Sequence, residues 1–222
     1  LRQGLALAGM QEWRVRLYAP VGNLADIQRA AIPAIEALST ASMPVTPTDF
    51  DAVFARMREE PCFDAVQFLS CWKKGKIRSH PSNLMILASL TDFEARADLR
   101  TQIEATLSEV CAAFGACFDL TLAFENPPLR NDAALIERFS AIAEPLLGME
   151  QVWHFQTPYP FAHEDFALYS ACAPTAFVWL GTANRERGIA SILHTPDYDV
   201  DERAIEVGAE LMTHILLAYG RA

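Results

Sequence analysis

The sequence predicts an α/β protein: an α+β ferredoxin-like module with the order β-α-β-β-α-β over residues 12–126, followed by a second α/β part over residues 127–222. Two observations predict the first part, namely four strand-like segments, of which the first and the last alternate along their length, and two intervening segments with helical spacing. A change of pattern predicts the second part, because Pro127 and Pro128 break the last strand and short strands then alternate with helices.

Alternation predicts the first and fourth strands of the module, and a strongly apolar start marks the third. In the first strand, Val15 and Leu17 fall on one face. The second and third strands flank the short loop "KKGKIRSHPS" at 73–82, so we expect a hairpin. The predicted strands cover residues 13–20, 64–72, 83–93 and 117–124.

Two long helices of the module are expected to cover one face of a four-stranded antiparallel sheet. The first runs from Leu24 to Thr40, with Pro33 inside it as a point of kinking or division. The second runs from Ala95 to Phe114, and Gly115 follows where a helix end favours a left-handed residue. A further short helix is expected between them, from Asp49 to Arg58.

The second part contains three predicted helices and two predicted strands. Asn131 or Asp132 can cap the first helix. The strands are "QVWHFQT" and the buried strand "TAFVWLGT" at 175–182, and "HEDFALYSAC" is a short helix. Asp199 and Glu202 are predicted to form a capping box for the last helix. That helix is expected to bury Ile205, Leu211, Met212, Ile215, Leu216 and Tyr219.

Composition and charge restrict the partners and the compartment. The net charge is −10 and the pI is about 4.9, which argues against a nucleic-acid partner. The basic run at 73–78 is interpreted as a solvated turn, with nucleic-acid binding as a remote alternative. No apolar run is long enough to span a bilayer, so no membrane partner is expected.

Five cysteines without a CxxC pair favour reduced thiols in a cytoplasmic protein, with Cys111 and Cys172 as small core residues. The chain begins at Leu1, which suggests a processed product or a fragment.

Two motif-like stretches do not complete their patterns. Asp197, Asp199 and Asp201 have the spacing of a calcium-binding EF-hand loop, but Glu202 and Gly208 stand where that loop needs glycine and glutamate. Helix capping therefore explains the aspartates better. "HEDFA" starts like the zinc-protease motif, but alanine replaces the second histidine, which excludes a two-histidine helical site.

Three polar residues remain as site candidates. Glu164 and Asp165 form an acidic pair at a predicted helix start, with plain helix capping as the favoured alternative on composition alone. His194 lies between a buried strand and the last helix, where α/β proteins build sites, although a lone histidine is more often structural. One histidine cannot hold a catalytic metal, because about three protein ligands are needed.

Residues 161–219 resemble the metal-dependent amidohydrolase and peptidase family of carboxypeptidase G, aminoacylase and hippurate hydrolase. The matching pieces are "FAHEDFALY", "APTAFVWLGTAN" and "SILHTPDYDVDERAIEVGAELM". "AAFGACFDLTLAFENPPLRND" is similar to the strand that returns from the family's lid domain. The resemblance implies that residues 12–126 are the lid and dimerisation domain. It also implies that residues 127–222 are the C-terminal portion of an α/β metallohydrolase catalytic domain.

The resemblance further implies a function and site roles. The family cleaves the amide bond of N-acyl amino acids or small peptides, using a glutamate as general base and a divalent metal, usually zinc. His194 matches the last ligand of a two-metal site, and Glu164 with Asp165 match the acidic pair of the loop lining the cleft. The expected partners are a small substrate with a carboxylate and a second copy bound through the lid.

Several departures keep two hypotheses open. The family's first catalytic segment, with the other metal ligands and the general base, is not found before Trp13. The lid histidine is absent from "APVGNLAD", and Arg78 stands near the place of a substrate-binding asparagine. Arg78 can grip a carboxylate or be a solvated loop residue. Under the first hypothesis, the chain is an amidohydrolase whose metal ligands are incomplete and which has no assigned catalytic residue of its own. Under the second, it is a non-catalytic dimerisation and binding relative without a metal.

Overall fold

A computed structural model describes residues 1–20, 22–73, 83–94 and 97–220. The strands are β1 (Gly4–Leu7), β2 (Gly9–Tyr18), β3 (Gln67–Lys73), β4 (Leu84–Leu90), β5 (Cys117–Asn126) and β6 (Leu129–Asn131). The α-helices are α1 (Leu24–Glu36), α2 (Pro47–Glu59), α3 (Ala97–Ala113), α4 (Ala133–Leu147) and α5 (Arg203–Tyr219).

The predicted ferredoxin-like module is confirmed. Its four strands are antiparallel and lie in the order β3-β4-β2-β5, with β4 and β5 on either side of β2. Val15 on β2 is opposite Leu84 of β4 and Leu120 of β5, so apolar side chains of neighbouring strands lie on the same face. Helices α1 and α3 cover that face, and Ile27, Ile35, Ile103 and other apolar side chains form the core beneath them.

The ends of the module's helices follow from local chemistry. Helix α1 continues through Pro33, whose carbonyl accepts a hydrogen bond of 2.9 Å from the Ala37 N–H, and the helix ends at Glu36 rather than Thr40. Gly115 has a φ of +62°, the left-handed conformation expected after the end of α3.

Helix α2 starts two residues earlier than predicted, and a different residue caps it. The Thr46 hydroxyl accepts a hydrogen bond from the Asp49 N–H, and the Asp49 carboxylate accepts one from the Thr46 N–H. This reciprocal capping box makes Asp49 the third residue of the helix rather than its first.

A second core lies next to the module, on the two-stranded antiparallel sheet of β1 and β6. Neither strand was predicted, because each has only three or four residues and shows no clear periodicity. The cluster contains side chains from α2 and from the segment 155–167 as well as from the two strands. Its most buried members are Leu7, Met57, Leu129 and Ala167.

The two predicted strands after residue 150 are wrong. Residues 175–182 form no strand, and Trp179 and Leu180 are exposed rather than buried. Residue 151 ends a short 3₁₀ helix, Met149–Gln151, and residues 152–157 are irregular. A strand needs a neighbouring strand to pair its backbone groups, and within the described ranges neither segment has one. The remaining predicted helices are present: Asp132 caps α4 by accepting from the Leu135 N–H, and residues Asp165–Ala171 form a 3₁₀ helix.

The start and the buried face of α5 also differ from expectation. Glu202 makes no side-chain capping bond, so the predicted capping box with Asp199 is absent. Leu211 is buried, but Ile205, Met212 and Leu216 are exposed, because α4 covers only one side of the helix. Cys111 is buried as predicted, whereas Cys172 is exposed. In the part of the chain that the structure describes, no helix is both long and apolar enough to cross a bilayer.

Candidate functional site

His194 lies on a loop that leads into α5. Its side chain is exposed, and its φ of +68° puts the backbone in the left-handed region, which is uncommon for a residue other than glycine. The loop is ordered by its own side chains: the Ser191 hydroxyl accepts from the Asp199 N–H at 2.8 Å, and the Thr195 hydroxyl donates to the Ile192 carbonyl at 2.7 Å. The loop therefore presents His194 to solvent in a defined conformation.

Asp201 joins the two ends of this loop. Its buried carboxylate accepts hydrogen bonds from Asn184 (2.5 Å), Arg187 (3.0 Å) and Arg203 (2.6 Å). The hydrogen bond from Arg203, followed by that from Asn184, holds the pKa of the Asp201 carboxyl well below its usual range. Sequence analysis assigned Asp201 only to helix capping, because its partners at 184 and 187 are distant in sequence.

Glu164 and Asp165 lie at the start of the 3₁₀ helix Asp165–Ala171. Glu164 is half-buried and occupies the capping position, but its side chain makes no capping hydrogen bond, which disagrees with the plain capping interpretation. The neighbouring His163 is half-buried, and burial lowers its pKa, although the two adjacent carboxylates oppose that shift. Sequence analysis did not include His163 among the site candidates.

Aromatic contacts connect this 3₁₀ helix to the segment 175–182. The ring centroids of Phe166 and Phe177 are 6.1 Å apart, and those of Phe177 and Trp179 are 5.6 Å apart. The segment then reaches the His194 loop, because the Thr182 carbonyl accepts a hydrogen bond of 2.8 Å from the Asp201 N–H. The segment 175–182 thus connects the 3₁₀ helix of the acidic pair to the loop of His194.

Asn131 fixes the other side of that framework. Its buried side chain accepts from the Phe177 N–H at 2.7 Å and donates to the carbonyls of Phe177 and Arg2 at 2.9 Å each. These bonds replace the strand pairing that the segment lacks. Sequence analysis considered Asn131 only as a helix cap. A buried amide that forms hydrogen bonds with the backbone of two separate chain segments leaves no local signal in the sequence.

The candidate site does not contain a complete metal centre. Among the described residues, no group of three or more His, Cys, Asp or Glu side chains is arranged to bind a metal ion. His194, Glu164 and Asp165 therefore do not form such a group. Arg78, the predicted carboxylate-binding residue, lies outside the described residues.

Curated proteins are similar to just over half of this chain. An IAA-amino acid hydrolase of Arabidopsis thaliana (ILR1-like 6) is 32% identical over 127 residues, which cover 54% of this chain and 26% of that protein. The N-acetylcysteine deacetylase of Bacillus subtilis is 29% identical over 122 residues, covering 55% of this chain and 30% of that protein.

Solved structures share the fold over nearly the whole chain. A dinuclear metal-binding peptidase of the M20 family from Bacillus subtilis superposes with a TM-score of 0.55 at 16% identity. That match covers 97% of this chain and 51% of the other. An amidase of the hydantoinase/carbamoylase family from Burkholderia vietnamiensis gives a TM-score of 0.59 at 15% identity, over 98% of this chain and 48% of the other.

The matched region is thus about half of each solved chain and about a third or less of the two curated relatives. The model of peptidase family M20/M25/M40 matches residues 15–218, which include most of the ferredoxin-like module, the acidic pair and the His194 loop. The chain therefore belongs to peptidase family M20/M25/M40.

Proposed function

We propose that this chain is the lid and the C-terminal catalytic half of a metal-dependent amidohydrolase that cleaves N-acyl amino acids or small peptides. The family match over residues 15–218 is the observation that carries the proposal. The names of two relatives support the substrate class, since one is an amino acid conjugate hydrolase and the other deacetylates N-acetylcysteine, an N-acyl amino acid. Residues 12–126 are then the lid, and residues 127–222 belong to the catalytic domain.

The described residues do not by themselves fit a catalytic metal. They offer His194 as one ligand, whereas about three protein ligands are needed. We therefore assign the remaining ligands, and the general base, to polypeptide beyond these 222 residues, in the same protein or in a partner. When bound there, zinc or another divalent ion would supply Lewis-acid activation of the amide carbonyl.

An exposed apolar surface supports this assignment. It is formed by side chains of the segment 175–182 and of α5 that a complete catalytic domain would cover. Leu180 lies against α5 at Gly208, where an added Cβ would be 3.0 Å from the Leu180 side chain, so the two parts of this surface are in contact. The large exposed members are Trp179, Leu180, Ile205, Met212 and Leu216.

The remaining predicted residues receive roles on the same basis. Glu164 and Asp165 line the cleft. The Glu164 carboxylate makes no capping hydrogen bond, which is consistent with a role other than helix capping. Arg78 would bind the substrate carboxylate, because a guanidinium forms two parallel hydrogen bonds to a carboxylate. The five free cysteines support a reducing, cytoplasmic location.

We also propose a homodimer through the lid. Strand β5 is an edge of the four-stranded sheet and ten residues long, and it exposes Leu122 and Phe124. A long edge strand with exposed apolar side chains is a ready surface for pairing with another strand. A second copy of β5 would supply that strand and would cover the two side chains.

The test is the metal content of this chain combined with the polypeptide that carries the remaining ligands, measured by elemental mass spectrometry after incubation with zinc or manganese. His194→Ala is compared with His214→Ala, which removes another exposed histidine, on α5. Metal lost only in His194→Ala, together with hydrolysis of N-acyl amino acids by the protein that carries the remaining ligands, supports the proposal. Unchanged metal content and activity in His194→Ala of that protein would overturn it.

The alternative is a non-catalytic dimerisation or binding relative of the family. The lid histidine missing from "APVGNLAD" and the arginine Arg78 near the expected asparagine position favour it. It predicts a folded dimer that binds no tight metal, and a protein that hydrolyses no N-acyl amino acid even when the other half is supplied.

A further inference from the structure

Helix α2 lies between α1 and β3 in the chain but does not join the helix layer of the ferredoxin-like module. Its apolar positions Phe50, Val53, Phe54 and Met57 have the spacing of one helix face. That face packs in the second core, whereas α1 and α3 pack on the four-stranded sheet. The helix is therefore part of the module by sequence and part of the neighbouring core by packing.

The contacts of this face reach the C-terminal region directly. The Phe54 ring stacks on Tyr159 with centroids 5.8 Å apart and lies 5.9 Å from Phe155. The end of the helix is tied by backbone, since the Gln156 N–H donates to the Met57 carbonyl at 2.6 Å. Met57 and Tyr159 are buried, and Phe54 and Phe155 are half-buried, so apolar packing and a backbone hydrogen bond together stabilise this attachment.

Polar contacts continue the attachment along the whole helix. Near its start Asp51 forms an ion pair with Arg185, and near its end the Arg58 guanidinium lies 4.8 Å from the Trp153 ring centroid. Beyond the helix, the Phe63 N–H donates to the Thr157 hydroxyl at 2.8 Å. The ion pair is exposed and contributes little to stability by itself. Together with the contact of Arg58 on Trp153, it shows that both ends of α2 are attached.

Apart from packing contacts, two chain crossings connect the module to the C-terminal region. One is the step from β1 to β2 at Ala8 and Gly9, and the other is the step from β5 to β6 through Pro127 and Pro128. Two neighbouring crossings permit bending about the line that joins them. Attachments away from that line prevent such bending. Helix α2 supplies contacts along its length, and Phe68 of β3 adds one more through Phe161, with ring centroids 5.4 Å apart.

We infer that α2 is a strut that holds the ferredoxin-like module and the C-terminal region in one fixed relative position. The module then does not swing, and the distance from its sheet to the His194 loop stays constant. This inference rests on the contacts of α2 and is independent of the proposed function.

The chain carries two natural sites for testing this. Cys117 at the start of β5 and Cys172 after the 3₁₀ helix are exposed, one on each side of the strut, while Cys71 and Cys111 are buried. In a Cys62→Ser background, which removes the half-buried thiol, nitroxide labels at the two exposed cysteines report the distance distribution by pulsed electron resonance. Dilution with unlabelled protein isolates distances within one chain.

We expect one narrow distribution for the parent protein, and a distribution about twice as wide in Phe54→Ala and in Phe155→Ala. Because the two rings form one contact, the double variant should be little wider than either single variant. Glu59→Ala, on the exposed side of α2, is the matched control and should leave the distribution narrow.

Hydrogen exchange of the β2 and β4 amides completes the test. Broadening with these amides still protected means that the module is intact and has been released, which supports the strut. A broad distribution in the parent protein, or a narrow one in both phenylalanine variants, overturns the inference. Broadening accompanied by lost protection overturns it too, because α2 would then be required for the module's own fold.

Discussion

The Asn184 side-chain amide donates a hydrogen bond of 2.5 Å to the Asp201 carboxylate, and this bond connects the two ends of the segment that carries His194. Arg187 and Arg203 donate to the same carboxylate, so this one buried acid accepts hydrogen bonds from three side chains. The left-handed backbone conformation of His194 is maintained only when the surrounding structure holds it, and the hydrogen bonds of Asp201 provide that structure. The geometry of the proposed metal ligand therefore depends on Asp201, which is not itself among the proposed ligands.

The low pKa of Asp201 predicts acid sensitivity. Its folded-state pKa lies below the unfolded value of 3.8, so its contribution to stability is present above about pH 4 and is lost as the pH falls further. We expect the urea midpoint of the wild type to fall more steeply below pH 4 than that of Asp201→Asn. Asn184→Ala should lie between them, since it removes one of the hydrogen bonds. Parallel curves for all three proteins would contradict this account.

Met57 predicts how much α2 contributes to the second core. Its side chain is 1% exposed, and truncation of a buried methionine costs about 2–5 kcal/mol. Met57→Ala should therefore lower the free energy of unfolding by that amount in urea titration monitored by circular dichroism. The exposed Glu59→Ala should change it by less than about 0.5 kcal/mol. Equal effects of the two substitutions would show that α2 is not packed as described.

The ferredoxin-like module was predictable because its signals are local. Val15 and Leu17 show the period of a strand, and Gly115 marks a helix end, without knowledge of anything distant in the chain. The segment 175–182 has equally strong strand propensity but forms no strand, since a strand also requires a pairing neighbour. Propensity predicts what a segment can form, and pairing decides what it does form.

The site was predictable to a lesser degree. His194 and the pair Glu164 and Asp165 were found through an ordered series of family motifs, whereas the connections that hold them are long-range. Asn131 bonds to a segment 46 residues away, and Asp201 bonds to a residue 17 positions away. No periodicity or motif in a single sequence records such contacts.

Gly115 gives a direct test of the end of α3. Its φ of +62° is disfavoured for any residue with a Cβ, although space for the Cβ exists. Gly115→Ala should destabilise the protein by about 1 kcal/mol, measured by thermal or urea unfolding. Gly115→Asn should cost less, because asparagine tolerates the left-handed region better. A stabilising Gly115→Ala would mean that α3 does not end here in solution.

The five thiols should separate into classes by reactivity. Cys117 and Cys172 are exposed, whereas burial raises the pKa of Cys71 to about 12 and also raises that of Cys111. Because the thiolate is the reactive form, we expect two fast equivalents with a disulfide reagent at pH 8 and a slower third from Cys62. The last two should react only after denaturation. More than three equivalents in the native protein would contradict the buried positions.

Strand β5 predicts the behaviour of the proposed dimer. Leu122 and Phe124 are 39% and 46% exposed on an edge strand that pairs with β2 on one side. If a second copy covers this edge, a lysine at either position places a charge where the dimer would remove its water. Burying an unpaired charge costs more than about 1.4 kcal/mol, so the association constant should fall by tenfold or more. Sedimentation velocity over a concentration series measures this.

The matched control for that experiment is Glu137→Lys, on the exposed side of α4, which introduces the same residue away from β5. It should sediment as the wild type does. A wild type that remains monomeric at high concentration excludes the dimer, and a dimer that persists in both Leu122→Lys and Phe124→Lys places the interface elsewhere. Because the substituted side chains are already partly exposed in the single chain, the variants should retain the fold, so that a loss of association reports on the interface itself.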